Sequence, residues 1–234
     1  DVFLQKLKSY GIESTDRIIK LAIYNISSHF QEMLITTDNI QDDIIEHITI
    51  SLTAIEVLGS WKIEKAVMPL IGLLQRIPII IYDEGIMDDL DKRKKDDIDG
   101  YKEMYRTNIR DALVSIGSSA IQPLIEILEI TVGYNENHEY MLMALAEIGR
   151  ENRSDRIYGT LKNVFLDIDN KIVGSSCLGV YGDGRAVTTL RGYVKKNLNN
   201  LDRETFYEIK KAVEDLGGNM DDIKFHTSLD SRLH

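Results

Sequence analysis

One cysteine, three prolines and one tryptophan in 234 residues leave several kinds of protein out of reach. A lone thiol, Cys177, excludes an intrachain disulfide and fits a reducing compartment, so a cytoplasmic location is expected. So few prolines, with little β-branched alternation, favour helix over sheet. No apolar run approaches the roughly 20 residues needed to span a bilayer; Ile77–Ile81 reads as a buried segment, and no membrane is expected as a partner. No signal peptide is visible, and the chain begins without methionine. No Pro/Gly/Ser-rich linker divides it, so a single domain over 1–234 is expected. Positive charge is short as well: 28 Lys and Arg face 38 Asp and Glu, for a formal charge of −10. That argues against nucleic acid as a partner, because phosphate binding needs a concentrated basic surface.

Recognisable chemistry is equally sparse. His29, His47, His138, His226 and His234 form no HExxH and no i, i+4 pair, so metal-ligand spacing is absent. His138, between Glu136 and Glu139, reads as the surface of a helix start rather than a shallow metal site. Gly179, Gly182 and Gly184 superficially imitate a phosphate loop, but no strand precedes them and no Lys-Ser/Thr follows. A helix ending at Gly182, with Asp183 capping the next one, accounts for the same residues. Carboxylates are plentiful, yet a catalytic pair needs a cleft that perturbs its titration. No catalytic, cofactor-binding or metal-ligating residue is assigned, and no cofactor is expected.

What the chain does have is one pattern repeated. A small residue stands five before a glycine in Ala54–Gly59, Ala112–Gly117, Ala144–Gly149, Cys177–Gly182 and Ala212–Gly217. The residue after the small one (Ile55, Leu113, Leu145, Leu178, Val213) and the one before the glycine (Leu58, Ile116, Ile148, Tyr181, Leu216) are large, which marks one face of a helix. A small side chain there lets a neighbouring helix approach closely. Each glycine is expected to end its helix in the left-handed region, where a side chain would cost about 1 kcal/mol.

Downstream of the glycine a second stripe recurs at i, i+4, i+7, i+8: Ala66, Leu70, Leu73, Leu74; Ala120, Leu124, Ile127, Leu128; Ile157, Leu161, Val164, Phe165; and Ala186, Leu190, Tyr193, Val194. Each predicts an amphipathic second helix facing the first. Pro69 and Pro123 stand in register three residues after the alanine, so these helices are expected to start or bend there.

Steps between glycines are near-constant from Gly117 onward, whereas Gly59 precedes Gly117 by almost two repeats. The surplus falls in 78–100, read as a charged insertion: Asp83–Glu103 holds nine acidic and five basic residues. A loop plus a short polar helix is expected there, with Asp88, Asp89 and Asp91 as candidate partner contacts. The units run over about 1–37 (degenerate), 38–77, 101–131, 137–167, 169–198 and 202–226.

The stretch LGVYGDGRAVTTL, Leu178–Leu190, resembles the short HEAT-like repeats of the phycobilisome-lyase type. NIRDALVSIG, Asn108–Gly117, is similar to the first-helix phrase of that family, with Arg110 at the place of its arginine and Lys210 at the matching place in the last unit. AIQPLIEIL and AVMPLIGLL resemble its second-helix phrase, proline included. The resemblance covers residues 40–217 and implies an all-α fold, a right-handed α-solenoid of antiparallel helix pairs with the second helices lining its concave side. Its chemistry does not transfer with its fold, because the family spans bilin-attachment enzymes and unrelated scaffolds.

Gly59, Gly117, Gly149, Gly182, Gly217, Asp183, Arg185 and Arg110 are therefore assigned to repeat structure. Arg185 has two readings: an ion pair with Asp183 or an acid of the adjacent unit, or contact with an acidic or phosphorylated ligand. The function ranked first is a scaffold that binds a protein or peptide, most favourably a basic one given the charge. Behind it stand a lyase-like enzyme or accessory that handles a bilin, then a nucleic-acid-binding helical repeat, then a structural segment of a larger protein. Leu4, Leu7, Ile12 and Phe225 leave open whether another domain or a second copy covers an end of the array, so the oligomeric state is undetermined.

Overall fold

Small residues spaced along one helix face set where a second helix can lie against it, and the chain folds into successive helix pairs on that basis. The computed structural model describes residues 15–24, 42–79 and 92–225, with positions 5, 30 and 33; no strand occurs among them. The helices are α1 (Thr15–Ile23), α2 (Asp42–Ser60), α3 (Val67–Arg76), α4 (Lys92–Ile116), α5 (Ile121–Ile130), α6 (Glu136–Glu151), α7 (Asp155–Asp167), α8 (Lys171–Tyr181), α9 (Ala186–Asn197) and α10 (Arg203–Asp215). They group into two compact units: the described residues up to Leu124 together with Asn135–Ala144, and Ile125–Tyr134 together with those from Leu145 onward.

In the first unit α2 lies between α1 and α4, and α3 packs on α4. Ile44, Ile48, Ile55 and Leu58 of α2, Leu70, Leu73 and Leu74 of α3, and Tyr105, Ile109 and Leu113 of α4 are buried together. The Ser51 hydroxyl donates to the Ala22 carbonyl at 2.6 Å, which satisfies a buried polar group and pins α2 to α1. A 3-10 turn over Glu64–Ala66 leads into α3, and one over Ser118–Ala120 leads into α5. Pro69 and Pro123 thus fall in the first turn, where a missing amide proton costs little.

In the second unit α8 packs on α7 and α10, and α9 on α7, α8 and α10. Leu161, Val164, Phe165, Leu178, Leu190, Val194, Phe206, Ile209 and Val213 form its interior. Side chains begin these helices as capping requires: Ser154 accepts from the Ile157 amide at 3.2 Å, Asn170 from Val173 at 3.2 Å and Asp202 from Thr205 at 2.8 Å. Tyr181 stands where the other repeats have an aliphatic residue. Its hydroxyl is satisfied by the Ser154 backbone, donating to the carbonyl at 3.0 Å and accepting from the amide at 3.1 Å.

The five small residues Ala54, Ala112, Ala144, Cys177 and Ala212 are all buried, but the five glycines do not share one role. Gly117, Gly182 and Gly217 adopt φ of +89°, +77° and +80° and end α4, α8 and α10. Gly59 and Gly149, expected to do the same, lie inside α2 and α6. A Cβ on Gly59 would sit 2.6 Å from Ala112 Cα, and one on Gly149 would sit 2.9 Å from Ile157 Cγ2 and 3.1 Å from the Tyr181 ring. Glycine is needed there for approach, not for rotation of the backbone. The left-handed position after α2 is taken instead by Lys62, at φ +52°.

Other boundaries also differ from expectation. Helix α4 begins at Lys92, so the end of the charged insertion is helical and continuous with the next repeat. The unit expected over 202–226 has one helix, α10, among its described residues, followed by irregular chain with a turn at residues 221–222.

Candidate functional site

The extension of α4 places charged residues one turn apart on a single stripe. Lys95, Asp99, Lys102, Glu103 and Arg106 line one wall of a cleft of about 720 Å³. The other wall is the first two turns of α6, with Glu136, Glu139, Tyr140 and Met143, and Ile79 closes one side. All of these residues belong to the first unit.

Two cations form the floor. Lys102 is 3 % exposed and Arg106 5 %, a burial that charged side chains tolerate only with partners. Lys102 Nζ donates to Asp99 Oδ1 at 2.9 Å. Arg106 donates through Nε to Asn137 Oδ1 at 2.9 Å and pairs through Nη1 with Glu136 Oε2 at 2.7 Å. Asn137 is itself buried, and its amide nitrogen donates to the Ile77 carbonyl at 2.9 Å, so one side chain ties the end of α3 to α4. The Arg106 Nη2 nitrogen is buried and has no hydrogen-bond partner among the described residues.

Tyr140 donates its hydroxyl to Glu103 Oε1; burial, and then that carboxylate, push the phenol up to about 12. The start of α6 is capped reciprocally. Asn135 Oδ1 accepts from the Asn137 amide at 3.0 Å, while the Asn135 amide donates to His138 Nδ1 at 3.2 Å. His138 thereby fills the place a glutamate or glutamine takes in a capping box. Burial holds its imidazole below the usual histidine value of 6.5.

The sequence-assigned residues lie elsewhere. Arg185 pairs with Asp183 at 2.7 Å and Asp155 at 2.8 Å, and its guanidinium stacks 4.3 Å from the Tyr158 ring. Asp183 Oδ1 accepts from the Arg185 amide at 2.9 Å, which fixes the turn before α9 rather than capping the first amides of the helix. Arg185 is one rung of a ladder in the second unit. Arg156 pairs with Glu129 at 3.0 Å and Arg191 with Asp222 at 2.8 Å, so each rung joins residues 27 to 31 apart in sequence. Asp222 also meets Lys195 at 3.2 Å. These cations hold Glu129, Asp183 and Asp222 below the ordinary carboxylate range.

Arg110 pairs with its neighbour Asp111 at 2.6 Å, and Lys210 with Glu214 at 3.6 Å. Asp88, Asp89 and Asp91 lie outside the described residues. Cys177 is buried as the small residue of its helix. Among the described residues no three His, Cys, Asp or Glu side chains converge to hold a metal ion, and no single helix is long and apolar enough to cross a membrane.

Lys102, Arg106, Asn137 and Tyr140 were not singled out from the sequence. A signal for them existed: Ile98, Tyr105 and Ala112, with Ile109 and Ile116, carry the apolar period of α4 back through the charged stretch, so a polar stripe had to run beside it.

No protein-family profile, no curated protein and no solved structure matches the chain. The fold is an all-α, multi-helix arrangement in which successive helices pack as antiparallel pairs within each unit.

Proposed function

We propose that the chain is a HEAT-like repeat scaffold, a right-handed α-solenoid that binds a protein or peptide of basic character. The observation that carries this reading is the ladder of Arg156–Glu129, Arg185–Asp155 and Arg191–Asp222, which recurs at the spacing of the repeat. Ion pairs that step from one hairpin to the next are what stacking of repeats requires at its edges, where each hairpin supplies the wall its neighbour lacks. The acidic balance of −10 supports a cationic partner through attraction at a distance. Within that charge, Arg156, Arg185 and Arg191 are held in the ladder by carboxylates of the second unit.

The test is capture of partners from a soluble extract at two ionic strengths, followed by binding of the purified partner. Retention that weakens as salt rises is expected, because screening shortens the reach of the acidic field. A set of partners whose retention ignores salt removes the basic-partner reading. Small-angle scattering checks the architecture independently: an elongated, curved particle is expected, and a spherical one contradicts the solenoid.

A further inference from the structure

We draw no further inference here: the strongest candidate, the apolar surface patch of Ile130 and Val132 at the end of α5 and in the turn after it, 80 % and 98 % exposed, adjoins a Glu129 already paired with Arg156, and nothing in the structure shows what covers it.

Discussion

In the second unit Arg156, Arg185 and Arg191 each pair near the surface with a carboxylate about one repeat away; in the first, Arg106 and Lys102 are buried and hold the carboxylates of a cleft. The first arrangement is periodic and the second occurs once. A periodic ion pair follows whenever the same hairpin is laid down again, and it is exposed, so each rung contributes little to stability. A buried cation has to be surrounded, and the surroundings come from the one place where the repeat spacing breaks. The helical extension of α4 brings Lys95, Asp99 and Gly100 to the cleft. A regular array supplies the frame, and its irregular unit supplies the distinctive surface.

The sharpest way to break this contrast is at the seam of the first unit. Gly59→Ala drives a methyl into Ala112 Cα and should destabilise the protein by about 2 kcal/mol or more, since backbone cannot move aside as a side chain can. Gly72→Ala in α3 is the matched control: nothing lies within 4 Å of a Cβ there, and the change should be neutral or stabilising by up to about 1 kcal/mol. Urea denaturation of both variants separates crowding from helix propensity.

Next in size is Arg106→Met. It leaves the buried Asn137 carbonyl oxygen without its donor and should cost about 1–3 kcal/mol, read as a fall in the denaturation midpoint. Hydrogen exchange should show the loss concentrated at the end of α3 and the start of α6, which Asn137 joins.

A smaller effect is expected from acid. Because burial holds His138 below 6.5, the folded state binds fewer protons than the unfolded one as pH falls past that value. Its contribution is full above pH 6.5 and is lost as pH drops below it toward the lowered folded value. His138→Gln keeps a hydrogen-bond acceptor and does not titrate, so its melting temperature should fall less between pH 7 and pH 5 than that of the wild type.

The smallest effect belongs to the ladder. Arg156→Ala removes an exposed rung and should lower the melting temperature by a degree or two at low salt and less at high salt, as screening weakens the pair it replaces. A large loss there would place the second unit's stability in its surface ion pairs and reverse the comparison.

The helix pairs were legible because their signal is carried by apolar residues at fixed spacing, and burial follows that spacing closely: Ala54, Leu70, Leu124, Leu161 and Leu190 are all interior. The glycines were only half legible. A glycine at the end of an apolar stripe looks the same whether it turns the chain, as Gly182 does, or lets two helices touch, as Gly59 does, since the difference lies in what another helix brings to it. The cleft was hidden for a related reason. Asp99, Lys102 and Glu103 sit in a stretch so rich in charge that its composition reads as solvated surface, while the apolar residues that make it helical, Ile98 and Tyr105, are thinly spread. Asn137 carries no sequence signature of burial; only the meeting of Ile77 and Arg106 on either side of its amide makes it interior.

The contact between Gly59 and Ala112 also has a mechanical meaning. With no side chain on Gly59, the backbones of α2 and α4 come close together there, within a broad face in which Ile48, Ile55, Tyr105 and Ile109 are buried. Asp99 lies roughly 20 Å along α4 from that point at about 1.5 Å of rise per residue. A tilt of about five degrees between the helices would shift the cleft wall by about 2 Å, so the packing that fixes their crossing also fixes the width of the cleft.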